Sequence, residues 1–335
     1  MVSLILKFIV FFVLLTFNIS SSAEMINGAG ATFPYPLYSS WASGYYKATG
    51  IKINYQSIGS GGGIRQITER TVHFGASDMA LKPEELEKSQ LLQFPAVIGG
   101  VVPVVNIPEI PFNALVLDGN TMCEIFLGEI KQWNDPKIKA LNPDIHMPAK
   151  PITVVYRSDG SGTTAIFTHY LSGTCKKWAD NVGYGTAVKW RTGLGGKGNE
   201  GVANYVKRTS YSIGYVEFAY AKQNKLSTVK LKNSAGQIVA PDFESFAEAA
   251  ATAELDPKKH FYAWMTNAPG KKAWPITGAT YILLAKEKTD VNKSVIKFFD
   301  WAFTNGDETA KKLDYVPLPK SVKDKVRNYW KTYIK

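Results

Sequence analysis

Apolar runs of strand length alternate with helix-like stretches along this chain. KINYQSI is followed by GGGIRQITERTV and then VHFGASD, and further on ITVVYRS is followed by GTTAIFTHYL. Period-two patterns rich in β-branched residues favour strands, and apolar residues three and four apart favour helices. The alternation predicts an α/β layered fold. No fixed-period repeat and no low-complexity segment interrupts it.

The changeovers themselves are unusual in composition. In RSDGSGTT, Arg157 to Thr164, an arginine, an aspartate, two glycines and several hydroxyl residues crowd a turn between a strand and a helix start. Asp159, Ser161 and Thr163 are good turn or N-cap residues, and Gly160 and Gly162 let backbone N–H groups approach whatever lies above them. A helix start carries unpaired N–H donors and partial positive charge, which favours an anion. Arg157 adds a planar fork of donors suited to a tetrahedral oxyanion. Two other turns share this grammar: GAGATFPYPLYSSW places Thr32 and Phe33 ahead of Pro34, and QSIGSGGGIRQI places Ser60 at the cap of a glycine-rich helix start. A single hydroxyl cap is most often structural; the coincidence of hydroxyls, glycines and arginine points to an anion site.

Asp78 ends the short run FGAS. An acid there usually forms a turn or caps the next helix. Beside a bound anion it would repel a fully ionised one, by about 4 kcal/mol at 4 Å in an effective dielectric of 20. A protonated anion can donate a hydrogen bond to it instead. Phosphate keeps a proton near neutral pH and sulfate does not, so Asp78 would select phosphate.

Residues 1–23 read as an export leader: Lys7 precedes the apolar run Phe8–Phe17, and Ser21 and Ala23 stand at the small-residue positions before Glu24. Removing them takes one lysine from a net charge of +11 and leaves +10 on 312 residues. A chain of that length is expected to form two domains. The uncharged stretch Ser89–Pro108 contains three prolines, two glycines, Gln93 and Asn106, and reads as buried strand rather than as a membrane span. Cys123 and Cys175, in a chain expected to reach an oxidising compartment, either pair or serve as small buried hydrophobes. Near the C-terminus, Val322, Val326, Tyr329, Trp330 and Tyr333 mark the apolar face of an amphipathic surface helix.

The stretches GAGATFP, NYQSIGSGGG, VHFGASD, FPAVIGGVVPVVNIP, YRSDGSGTT, GLGGKGNEG, SIGYVEFAYAKQN, AWPITGATYIL and KFFDWAF occur in that order. Over nearly its whole length the chain resembles the periplasmic phosphate-binding proteins of bacterial phosphate uptake transporters. The resemblance implies a two-lobed α/β periplasmic binding protein fold of type II, with a hinge and one dehydrated phosphate in the interlobe cleft. It implies a discontinuous first lobe, residues 24–98 plus 275–335, and a second lobe of residues 99–274. Carried over residue by residue, it implies ligand contacts from Thr32, the backbone N–H of Phe33, Ser60, Asp78, Arg157, Ser161, the backbone N–H of Gly162, and Thr163. Asp159 is implied as the ion-pair partner that orients Arg157. Many relatives have a second serine where this chain has Gly61, which leaves a backbone contact open and removes a side-chain contact. The implied partners are a membrane permease and a cytoplasmic ATPase, with a monomeric binding protein in the periplasm and neither cofactor nor metal.

Other functions fit less well. Gly193, Gly195 and Gly198 match GxGxxG, and Glu217 follows 19 residues later, but the preceding TAVKWRT is not an apolar strand. A secreted phosphatase or another anion-binding protein using the same pocket is the alternative. Ser161 lacks the GxSxG context, and His73, His146, His169 and His260 are scattered without metal-ligand spacing. Nucleic-acid binding rests on basic charge alone, which serves equally to draw an anion towards a cleft. Binding without catalysis is the expected function.

Overall fold

The structure, a computed structural model, describes residues 25–334. The expected leader and its cleavage after Ala23 lie outside the described residues. The predicted α/β layering is present. The main sheet runs in the order Lys52–Ser57, Met25–Gly30, Phe74–Ser77, Ile276–Ala285, Leu91–Asn106, Ser212–Glu217, Thr153–Arg157, Leu194–Gly196. Met25–Gly30 pairs parallel with both of its neighbours, as does Thr153–Arg157 with its own. Parallel pairs require crossovers, and helices supply them: Tyr35–Thr49 and Ser60–Thr68 on one side, Gly162–Thr174 and Gly198–Arg208 on the other.

The uncharged stretch forms the central strand Leu91–Asn106, buried at every position before Asn106. Its partner changes midway: Leu91 to Gly100 pair antiparallel with Ile276–Ala285, and Val101 to Asn106 with Ser212–Glu217. Pro95 lacks an N–H and would weaken a regular central strand. The register slips there, between Thr280 and Tyr281, so the missing donor coincides with a bulge.

Aromatic packing holds the helices on the sheet. Phe94 meets Phe299 and Trp330 edge-on at 5.7 and 5.1 Å. Phe167, on the helix Gly162–Thr174, stacks on Tyr215 at 4.2 Å and meets Phe126 at 4.8 Å. Burying each such ring contributes about 1.5–3 kcal/mol. Cys123 and Cys175 are joined by a disulfide, Cα atoms 6.3 Å apart, which resolves the two readings in favour of pairing. It ties the end of the Gly162–Thr174 helix to the helix Gly119–Phe126.

The C-terminal helix spans Lys320–Tyr333 and buries Val326, Tyr329 and Trp330, but Tyr333 is 46% exposed and Val322 only half-buried. Lys323 is buried instead, because its ammonium reaches Asp307 and the carbonyl of Phe303. The lysine stem supplies apolar cover that the sequence pattern assigned to tyrosine. Among the described residues, no helix is long and apolar enough to cross a membrane.

Candidate functional site

The three turns meet at the carboxyl ends of their strands, where open α/β sheets present ligands to helix starts. Met25–Gly30 delivers Thr32 and Phe33, Lys52–Ser57 delivers Ser60, Phe74–Ser77 delivers Asp78, and Thr153–Arg157 delivers Arg157 and the turn that follows. Thr32, Phe33, Ser60, Asp78, Arg157, Ser161, Gly162 and Thr163 are all buried. Glycines permit the approach. A Cβ on Gly59 would strike the carboxylate of Asp159, and one on Gly162 would lie 2.5 Å from Ser60 Oγ and 2.6 Å from Asp78 Cβ. Gly59 also takes φ +88°, and so stands at the N-cap that the sequence assigned to Ser60.

Ser60 is therefore the first helical residue rather than the cap, and its hydroxyl is freed for a long-range role. Its Oγ accepts from the N–H of Asp78 at 3.1 Å and the N–H of Gly162 at 3.0 Å. Ser161 is a true N-cap, its Oγ accepting from Thr164 N–H at 3.0 Å. Thr32 Oγ1 accepts from the side-chain amide of Asn199 at 2.7 Å and from its backbone N–H at 3.2 Å. Thr163 Oγ1 accepts from the same amide at 3.2 Å and lies 3.4 Å from Arg157 Nη1.

A hydroxyl has one proton and two lone pairs. All four hydroxyls accept from the protein. Those of Thr32, Ser161 and Thr163 donate to no other described residue, so each keeps its proton to give; the Ser60 hydroxyl lies beside the Asp78 carboxyl and favours its ionised form. The backbone N–H groups of Phe33, Ser60 and Thr163 likewise donate to no acceptor among the described residues, although all three residues are fully buried. Orphan N–H groups are normal at helix starts but costly to bury without a partner.

Arg157 is held by Asp159 in a fork, Nε to Oδ1 at 2.8 Å and Nη2 to Oδ2 at 2.6 Å, which leaves its Nη1 edge towards Thr163. Burial works to raise the Asp159 carboxyl. The Arg157 hydrogen bonds and charge, with the N–H of Gly198 at 2.9 Å, outweigh it and hold the group below the usual aspartate range. Asp78 behaves oppositely. Burial pushes it up to about 7, although the hydroxyl of Thr280 at 2.7 Å, the Arg157 charge and Ser60 all pull it down.

The arrangement is thus rich in donors, and Asp78 is its one carboxyl not paired in a fork with Arg157 or set back behind Asn199. It suits a small oxyanion that retains a proton. Every residue expected to contact the ligand lies in this buried cluster or, for Ser161, directly beside Gly162 in its turn. Gly61 and Gly162 depart from expectation: the Gly61 N–H donates to the carbonyl of Gly160 at 2.9 Å and the Gly162 N–H to Ser60 Oγ at 3.0 Å, so both backbone donors are already engaged. The GxGxxG stretch does form a strand and helix start, Leu194–Gly196 and Gly198–Arg208, but the helix's first N–H groups go to Asp159 and Thr32. It buttresses the cluster.

Several neighbours were not foreseen from sequence: Asn199, Thr280, and the pair Glu217 and Tyr315. The Tyr315 hydroxyl lies 2.7 Å from the Phe33 carbonyl and 2.9 Å from Glu217 Oε2. Burial pushes the Glu217 carboxyl well above the usual range, against the hydrogen bonds from Tyr315 and the Ala219 N–H that pull it down. Among the histidines, His73, His169 and His260 pair with Asn27, Thr266 and Tyr329, and none bonds to Ser161.

A family model described as a PBP superfamily domain matches residues 19–305. The chain is 56% identical to the phosphate-binding protein PstS of Haemophilus influenzae, over 94% of this chain and 95% of that protein. It is 55% identical to PstS of Pasteurella multocida, over 96% and 94% of the two chains. Its fold is also similar to that of a high affinity periplasmic phosphate-binding protein (PfluDING) solved with phosphate bound, with a TM-score of 0.73 at 23% identity over 90% of this chain and 93% of that one. The chain belongs to the PBP superfamily and, within it, to the family of periplasmic phosphate-binding proteins that includes these PstS relatives.

Proposed function

We propose that this chain captures inorganic phosphate from the periplasm and hands it to the permease of a phosphate ABC transporter, without chemistry of its own. The observation that carries the reading is the buried cluster in which three uncommitted hydroxyl protons, three helix-start N–H groups and the Nη1 edge of Arg157 stand against the Asp78 carboxyl. Helix ends contribute about 0.3–2 kcal/mol each and charge-assisted hydrogen bonds about 1.5–3. Together these cover the roughly 8 kcal/mol of a micromolar site after desolvation takes its share. Thr32, Phe33, Ser60, Arg157, Ser161 and Thr163 bind the oxygens, Asp78 receives the ligand's proton, and Asp159 orients Arg157, while the Gly162 N–H, given to Ser60 Oγ, holds the two turns together.

Selectivity then depends on pH. Phosphate brings a proton to an ionised Asp78, whereas sulfate requires Asp78 to keep its own. Since Asp78 titrates at about 7, sulfate binding falls about tenfold for each pH unit above that value.

Residues 24–98 plus 275–335 form one lobe and 99–274 the other. In support, the central strand changes partner between Gly100 and Val101, and the strand Ile276–Ala285 enters beside it. On this division the hydrogen bonds from Gly162 to Ser60, Gly61 to Gly160, Asn199 to Thr32 and the Tyr220 hydroxyl to the Thr32 carbonyl all join the lobes, as in a closed cleft. Hinge opening breaks this set and releases the ion, and the permease recognises the closed form. The leader and the disulfide fit an exported protein.

The test is titration calorimetry at pH 8 on residues 24–335, freed of bound phosphate by unfolding and refolding. One-to-one phosphate binding without sulfate heat is expected. Equal binding of both anions would reduce the cluster to a general anion site.

A further inference from the structure

Asn199 occupies a place that the ligand set does not use. It is fully buried at the second position of the helix Gly198–Arg208, and it bonds residues of both proposed lobes. Its Oδ1 accepts from the backbone N–H of Glu217 at 2.9 Å. A backbone N–H can only donate, so this contact fixes the orientation of the side-chain amide. The amide nitrogen must therefore face Thr32 and Thr163, and it donates to both hydroxyl oxygens, at 2.7 and 3.2 Å.

We infer that Asn199 is a positioning residue for the anion, setting the direction in which the two threonine protons point. A threonine hydroxyl free to rotate can accept from the protein or donate to it, and only donation to the ligand helps bind an anion. By filling lone pairs on Thr32 and Thr163, the amide leaves each hydroxyl proton for the cleft. Thr163 shares its proposed lobe with Asn199, but Thr32 belongs to the other, so the polarity of Thr32 is set only when the two turns are brought together. Closure and the readiness of the Thr32 donor are thereby one event. Arg157 Nη1 faces Thr163 in the same sense, at 3.4 Å, and the titratable groups around it are Asp159, Asp78 and, behind Asn199, Glu217, whose carboxyl burial pushes well above the usual range. The inference rests on the phosphate-binding reading above.

The experiment compares wild type, Asn199→Ala and Asn199→Asp, each refolded free of phosphate, by phosphate calorimetry from pH 5.5 to 8.5 with thermal unfolding alongside. Asn199→Ala removes two donated hydrogen bonds but lets the hydroxyls turn, and is expected to weaken binding about tenfold at every pH. Asn199→Asp nearly preserves shape yet accepts where Asn donates. It turns both protons away from the ligand and places a charge beside it, so binding at pH 8 should fall at least about a hundredfold, by the worth of charged hydrogen bonds. Acidification protonates that carboxyl and restores a donor, so Asn199→Asp should recover towards Asn199→Ala, a pH profile that a packing role would not produce. If Asn199→Asp tracks Asn199→Ala throughout, the inference is wrong. Thr32→Val supplies a check independent of the aspartate's folding: Asn199→Ala should cost less in that background, and an equal cost overturns the inference. If wild type binds no phosphate, the functional reading itself fails and takes this one with it.

Discussion

Replacing Asp78 by asparagine tests the site's electrostatics without any ligand. Burial raises this carboxyl from an ordinary 3.8 to about 7. The folded protein therefore holds a proton that the unfolded chain releases between those values, and stability must fall as pH rises through that window. A displacement of about 3 in pKa, at about 1.4 kcal/mol for each, gives a loss of about 4 kcal/mol between about pH 4 and pH 8. The substituted amide cannot titrate, yet it still offers Thr280 an acceptor in place of Oδ1. Urea unfolding of the two phosphate-free proteins should therefore show Asp78→Asn gaining on wild type as pH rises, the gap levelling off above about pH 7. Glu217, raised chiefly by burial and less by Asp78, is present in both proteins and largely cancels in the difference. A gap that is constant with pH, or that closes as pH rises, would refute the claim that Asp78 is held partly protonated by its surroundings. The same variant should lose preference for phosphate over sulfate at pH 8.

Arg157→Ala should weaken phosphate binding more than Ser60→Ala, about 1.5–3 against about 1 kcal/mol by calorimetry, because it removes charge as well as donors; equal losses would place the guanidinium outside the ligand's reach. Gly162→Ala inserts a methyl against Ser60 Oγ and Asp78, across the proposed cleft. Opening relieves that contact, so phosphate affinity should fall sharply while the thermal midpoint of the phosphate-free protein changes little. Cys123→Ser with Cys175→Ser opens a loop spanning a sequence separation of 52 and is expected to cost up to about 4 kcal/mol in urea unfolding, with no loss if the unfolded chain already confines that loop.

Local order was legible in the sequence because it is encoded locally. Period-two runs ending in glycine and hydroxyl turns marked the strands and helix starts, and the uncharged, proline-interrupted stretch declared the central strand Leu91–Asn106. The residue types that suit an anion were also evident, since Arg157, Ser161 and Thr163 share one turn. The tertiary structure decided who faces whom. Thr280 reaches Asp78 across 202 residues and Asn199 reaches Thr32 across 167, separations at which no periodicity carries information. It also reassigned Ser60 from cap to acceptor, because Gly59 takes the cap position with a positive φ, and exchanged Tyr333 for Lys323 on the C-terminal helix's buried face. The pKa of Asp78 belongs wholly to this second level: a carboxylate's cost of burial depends on the charges and donors that packing places around it, and the sequence names the acid without stating its surroundings.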